Sequence, residues 1–169
     1  MDAVLAQLKQ LVDTRTEKST VAFSLLPSGL PQGAITEISG HGKTEFVLQF
    51  LREQPDLGVA WIEKNFSAYP FGFLQQQINL DRVLFMEGQR EIDWCIYQAL
   101  RAQVFQVVVV YCDQLDLKSL RRIQLQSEKS LACTLWLTDE PKQAWPVHLR
   151  IRIERSPDGP QPTILKQRS

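Results

Sequence analysis

In the stretch TEISGHGKTEF, residues 36–46, four residues have the types and order to hold a phosphate: Gly40, Gly42, Lys43 and Thr44. An apolar strand runs into a glycine turn, and Gly-Lys-Thr then opens a helix. Backbone N–H groups of such a turn can wrap an anion, the lysine can pair with it, and the threonine hydroxyl can hold a magnesium ion. A working loop spaces four residues between its first glycine and the Gly-Lys-Thr. Here only His41 stands between Gly40 and Gly42. The shortened turn lacks most of the N–H cradle, so the expectation is a vestigial phosphate loop with no cofactor, or ATP held weakly. His41 reads as an exposed turn residue.

Elements that could position this turn follow from periodicity. AITEIS (34–39) alternates as a short strand, and 43–53 places Phe46, Val47, Phe50 and Leu51 on one helical side. GVAWIE (58–63) and RVLFME (82–87) read as strands around a short helix at 73–80. Residues 90–103 form a helix, VFQVVVVYC (104–112) a strand buried on both faces, 117–130 a helix, and ACTLWLT (132–138) a strand. Strands alternating with helices predict a mostly parallel sheet flanked by helices, an α/β fold. LRIRIE then alternates, SPDGPQP turns the chain, and TILKQR returns as a closing antiparallel hairpin. SLLPSGLPQG (24–33) reads as turn-rich. Before it, Val4, Leu5, Leu8, Leu11 and Val12 repeat at helical spacing. Residues 1–19 are therefore expected to be an amphipathic helix and linker, and 20–169 one domain. Trp61, Trp94 and Trp136 are expected in the core.

Composition limits the function classes. The chain has 169 residues, 44% hydrophobic and 22% charged, with zero formal net charge. That suits a globular domain and gives no overall field toward nucleic acid or anionic membrane. No apolar run approaches the roughly 18 residues of a membrane span, and the N-terminus lacks the pattern of a secretion signal, so a cytoplasmic location is expected. Cys95, Cys112 and Cys133 match no zinc or redox spacing and read as reduced core thiols.

The order of landmarks resembles the RecA-like ATPase core. SGLPQGAITEISG is similar to the segment leading into its phosphate-loop strand, GVAWIEKNFSAYP to its second strand, VFQVVVVYCDQL to its Walker B strand, and LACTLWLTDEP to the strand after that. The resemblance covers residues 20–168 and implies a RecA-like fold. It also locates what is missing. The Walker B carboxylate that helps hold Mg²⁺ falls on Tyr111, with Asp113 two residues on. The catalytic glutamate falls on Asn65, an amide that cannot act as a base, with Glu63 on the strand itself. Both DNA-binding loops of the family are cut short, to DQLD and DEPKQAWPV, and its glutamine switch has no counterpart in LTDEP. A pseudo-ATPase is expected; a weak nucleotide-dependent ATPase is the enzyme-class alternative.

Within that fold, LKSLRRIQLQSEKSLACTLWL (117–137) and the two-strand finish with a basic tail resemble the ImuA proteins of bacterial mutagenesis cassettes. The resemblance implies an accessory protein of the DNA-damage (SOS) response that supports translesion synthesis or RecA-linked repair. Its partners would be an ImuB-like polymerase homologue or RecA. An SulA-type cell-division inhibitor, of similar length and with FtsZ as target, is the alternative. Partner-binding candidates are the apolar stripe Val4, Leu5, Leu8 and Leu11, and the hairpin cations Arg150, Arg152, Arg155, Lys166 and Arg168. Those cations form either a solvated sheet face or a basic site, and direct DNA contact is expected to be weak or indirect. Arg121 and Arg122 diverge by about 100° on a helix, so at least one faces solvent. Trp145, beside Pro146, is a further candidate anchor.

Overall fold

The computed structural model describes residues 3–8 and 18–168. The first strands, β1 (Thr20–Phe23) and β2 (Leu26–Pro31), pair antiparallel as a small sheet of their own. Sequence patterning read this region as turns, because Pro27, Gly29 and Pro31 mask the strand signal. Gly29, at φ +75°, lets the two strands meet: a Cβ there would lie 2.6 Å from the Val21 carbonyl oxygen.

The main sheet is built from β3 (Ala34–Gly40), β4 (Val59–Glu63), β5 (Val83–Glu87), β6 (Val107–Tyr111), β7 (Cys133–Leu137), β8 (Leu149–Ser156) and β9 (Gly159–Gln167). Its seven strands lie in the order β5-β4-β6-β7-β3-β8-β9. All neighbours are parallel except β8 and β9, which form the C-terminal antiparallel hairpin. The protein is thus mixed α/β with a mostly parallel sheet. The hairpin turn is only Pro157–Asp158, tighter than SPDGPQP suggested, since Ser156 already pairs with Gly159. Pro160 and Pro162 sit in β9, the outermost strand, where a missing N–H blunts an edge that could otherwise recruit another chain.

Helices cover both faces of the sheet. On one, α1 (Lys43–Glu53), α2 (Pro70–Gln75) and the β1–β2 hairpin bury Phe23, Phe46, Phe50, Trp61 and Phe73 against alternate strand residues. On the other, α3 (Ile92–Arg101) and α4 (Leu117–Ser130) bury Ile96, Leu100, Leu120 and Ile123 against Ile62, Val108, Val110 and Trp136. A period of two along each strand feeds both cores at once. Arg82 holds the end of α1: its guanidinium donates to the carbonyl oxygens of Leu57 at 2.8 Å and Gln54 at 3.1 Å, and to that of Leu51. Asp116 caps α4, accepting from the Ser119 N–H at 2.7 Å.

Element boundaries differ from the pattern-based spans mainly at ends. The helix expected over 90–103 is a 3-10 turn, Gln89–Glu91, followed by α3, and the strand expected from 104 starts at Val107, leaving Val104 exposed. The helix expected at 73–80 is displaced to α2, because Pro70 opens it at its first turn. Trp94 is corrected from core to surface: it is 59% exposed on α3, whereas Trp61 and Trp136 are buried. The three cysteines are free and buried, and burial pushes the Cys133 thiol up to about 12. Among the described residues, no helix is long and apolar enough to cross a membrane.

Candidate functional site

The parallel strands end together at one edge, the usual location for ligands in such sheets. There the turn after β3 meets the ends of β4, β6 and β7. Gly40 and Gly42 hold φ of +93° and +92°. Their lack of side chains serves the neighbouring hairpin. A Cβ on Gly40 would lie 2.2 Å from the Ile153 carbonyl oxygen; one on Gly42 would press on Arg155 and Ile153. The glycines therefore let the turn pack against β8, and the short turn leads straight into α1, whose N-terminal cap is Gly42.

Lys43 is already partnered. Its ammonium lies 3.4 Å from Asp139 Oδ1 and 5.4 Å from the centre of the Tyr111 ring. The Tyr111 hydroxyl donates to the same Asp139 oxygen at 3.2 Å. Burial, and next the Asp139 charge, push the Tyr111 phenol above its ordinary value. Asp139 in turn donates its N–H to Asp113 at 3.1 Å, and Asp113 takes the Lys142 ammonium at 3.3 Å. These bonds, the backbone one first, hold the Asp113 carboxyl below the usual range. An internal carboxylate thus occupies the lysine that a phosphate would need.

Glu63 is equally committed. Buried at the end of β4, it accepts from the Ser67 N–H at 3.0 Å, the Ser67 hydroxyl at 2.8 Å and the Ala68 N–H at 2.9 Å. These three donors tie the carboxylate to the loop before α2 and brace that loop. Asn65 is exposed on that loop, and Thr44 is exposed on the first turn of α1. Among the described residues, no group of three or more His, Cys, Asp or Glu side chains could hold a metal ion.

The hairpin cations do not form one face. Arg150 is corrected from surface to interior: only 9% exposed, it donates from Nε to Glu37 at 2.7 Å, and Glu37 is fully buried. Glu37 also accepts from the Lys142 N–H and, at 3.4 Å, from the Thr138 hydroxyl. The reason is the sheet itself. β8 lies inside, between β3 and β9, and Glu37 and Arg150 are register partners. Arg152 stays exposed and borders a small cleft with His41, Lys43, Asp139 and Glu140. Arg155 reaches the opposite side and pairs with Glu45 of α1 at 2.8 Å.

Lys166, on β9, is the register partner of Arg150, and Arg168 lies beside Trp145. That indole is 43% exposed, with the guanidinium carbons of Arg121 and Arg168 at 5.0 and 5.5 Å from its ring centre. Arg122 lies over Tyr97 instead, at 5.1 Å. His148 is half-buried beside this cluster. Burial first, then the charges of Lys18, Arg168 and Lys166, hold its imidazole below its ordinary value. Burial, Arg150 and Arg168 likewise lower the Lys166 ammonium.

At the other end of the chain, residues 3–8 are helical with Val4, Leu5 and Leu8 exposed; Leu11 and most of the expected linker lie outside the described residues. Pattern reading missed Asp139, the residue that closes the lysine. Its only signal was an acidic pair at the carboxyl end of a strand, and that strand becomes informative only once β7 is known to lie beside β3. Compared with protein-family models and with curated proteins, the chain matches none.

Proposed function

We propose that this chain is a degenerate RecA-like domain that works by binding other proteins rather than by turning over ATP. One observation carries the non-catalytic part of the reading: the Asp139 carboxylate sits on Lys43 at 3.4 Å. A nucleotide phosphate would have to displace that carboxylate without the loop that normally cradles it. The absence of a carboxylate on Tyr111 and the full commitment of Glu63 point the same way. The RecA-like part draws support from the convergence of Lys43, Glu63 and Tyr111 on one cavity at the carboxyl edge of the sheet. The resemblance implies that neighbourhood for the phosphate loop, the second strand and the Walker B strand.

The biological setting rests on the ImuA-like residues 117–137 and the basic two-strand finish. In this reading the protein is an accessory factor of the bacterial DNA-damage response. Its partner is an ImuB-like polymerase homologue or RecA, met through the Trp145 cluster or the exposed N-terminal stripe. DNA contact is weak and steeply salt-dependent, because it would rest on phosphate contacts alone.

Two measurements test the proposal. ATPase assays with Mg²⁺ are expected to give no turnover above background; turnover abolished by Lys43→Ala would overturn the pseudo-ATPase reading. Pull-down against purified ImuB-like polymerase, RecA and FtsZ is expected to retain one of the first two. Retention of FtsZ alone would replace this reading with that of a division inhibitor.

A further inference from the structure

The corner around Trp145 carries charge that the described chain does not answer. The guanidinium carbons of Arg121 and Arg168 stand over the indole, 5.0 and 5.5 Å from its ring centre. Among the described residues, neither arginine has a carboxylate within ion-pair distance. Arg121 donates from Nη1 to the Gln124 side-chain oxygen at 2.7 Å, a neutral acceptor. Glu128, further along α4, pairs instead with Lys18 at 3.8 Å. A guanidinium over an indole is attracted to the ring and keeps in-plane N–H groups free to donate to a carboxylate.

Apolar surface borders these charges. Leu117, Arg121 and Leu125 follow at spacings of four on α4, so they form one row on the helix, about 12 Å from end to end. Leu117 is 53% exposed and Leu125 43%. Trp145 meets the middle of that row through Arg121, whereas Arg122 turns to Tyr97 of α3. Two guanidiniums bordered by exposed leucines complement carboxylates interspersed with apolar side chains. A nucleic-acid strand fits less well: its bases would have to displace a guanidinium to stack on the indole, and its phosphodiester backbone has nothing to set against Leu117 and Leu125. From this complementarity we infer that the Trp145–α4 face binds an acidic peptide segment of a partner protein, with carboxylates on Arg121 and Arg168 and apolar side chains on Leu117 and Leu125. The inference rests on the docking reading proposed above for Trp145 and names the chemistry recognised there.

The test uses purified full-length protein and a fluorescein-labelled synthetic peptide of glutamate and aspartate with leucine at every fourth position, followed by anisotropy. One control peptide replaces the acids by glutamine and asparagine, another replaces leucine by serine, and oligothymidylate of matching length stands for nucleic acid. The acidic leucine peptide is expected to bind saturably and more tightly than all three. Arg121→Gln and Arg168→Gln should each weaken it about tenfold, the worth of a hydrogen bond between charged groups. Arg90→Gln, at an exposed position far along the chain, should leave its affinity unchanged. Leu117→Gln with Leu125→Gln should erase the preference for leucine over serine. These side chains are exposed, and melting curves check that each variant is folded. No saturable binding of the acidic leucine peptide would overturn the inference. So would equal affinity for the neutral peptide, or undiminished binding in both folded arginine variants. Tighter binding of oligothymidylate would make the face a nucleic-acid site, and self-association abolished by Trp145→Ala would make it a contact between copies; either overturns the peptide assignment. Capture of RecA or an ImuB-like polymerase with no peptide bound would overturn this inference and leave the proposed function standing.

Discussion

Two corners of this molecule concentrate positive charge and treat it in opposite ways. At the Gly-Lys-Thr corner three cations have a carboxylate, with Arg152 exposed at its border: Lys43 has Asp139, Arg155 has Glu45, and Lys142 has Asp113. At the Trp145 corner Arg121 and Arg168 lie on the faces of one exposed indole, and His148 and Lys166 are lowered by their neighbours' charge. The first corner carries the recognisable motif and has closed on itself. The second has no motif and, among the described residues, Arg121 and Arg168 have no carboxylate partner beside the aromatic anchor. Availability for binding depends on whether the surrounding strands bring a counter-charge, which the motif alone does not report.

The largest expected effect contrasts two arginines two residues apart on β8. Arg150 and Glu37 form a buried pair, and removing one partner of such a pair typically costs about 3–5 kcal/mol because it strands the other charge. Arg150→Met should therefore destabilise the fold by that order in urea denaturation. Arg152→Ala, at an exposed position, should change stability by about 0.5 kcal/mol or less. Equal effects would break the distinction between interior and surface cations. A charge reversal at Arg150 thus reports on folding and cannot be used to map docking.

The Trp145 corner should give the next largest effect, on binding rather than stability. Aromatic and arginine anchors carry much of the energy of interfaces, often about 2 kcal/mol or more per residue. Trp145→Ala is expected to weaken the partner recovered by pull-down more than tenfold, as read by titration calorimetry. Arg168→Glu should act mainly on association rate and its salt dependence. Leu5→Asp with Leu8→Asp tests the N-terminal stripe in the same assay. If the Trp145 and Leu5/Leu8 variants all bind as the unaltered protein does, both surfaces fall out of the functional reading.

Why one corner was legible and the other was not follows from how the signals arise. Local periodicity set most strands and helices, because each strand alternates into two cores and each amphipathic helix covers one. The Gly-Lys-Thr turn was equally visible, since it is contiguous. The β1–β2 hairpin escaped because its prolines and glycines resemble loop. Arg150 was misplaced because alternation shows which side a residue faces and says nothing of what covers that side. The Asp139–Lys43 pair joins residues far apart in sequence and depends on β7 lying beside β3, a product of strand order that no local pattern contains. The cavity lined by Lys43, Glu63 and Tyr111 likewise needs α1, α2 and two strands, β4 and β6, to be placed at once.

A smaller effect tests the Trp145 corner through pH. His148 is held below its ordinary value by burial and by neighbouring cations. The unfolded chain then binds a proton more readily than the folded one, so stability rises with pH through that window. The melting temperature should fall as pH drops below about 6.5, the usual histidine value, and His148→Gln should flatten that part of the profile. The lowered carboxyl of Asp113 acts in a separate window: its contribution is present above its ordinary value of 3.8 and disappears as pH falls through its folded value. A profile unchanged by His148→Gln would mean that the cation cluster does not act on this imidazole.

The smallest expected effect is at the residue that looks most functional. Asp139 is mostly exposed and Lys43 largely covered, so their ion pair is screened by water on one side. Exposed pairs contribute roughly 0–1 kcal/mol. Lys43→Ala should accordingly shift stability by about 1 kcal/mol or less and leave partner affinity unchanged, while Asp139→Asn should free the ammonium without restoring the missing loop. ATP binding followed by calorimetry separates two explanations for a silent motif. If Asp139→Asn alone conferred Mg²⁺-dependent ATP binding, the block would be the internal carboxylate, and the corner would be a closed nucleotide site. If it conferred none, the block would be the shortened turn itself. The second outcome is expected, because Gly40 and Gly42 spend their freedom on packing against Ile153 and Arg155. The turn that would have to wrap a phosphate is the same backbone that holds the hairpin.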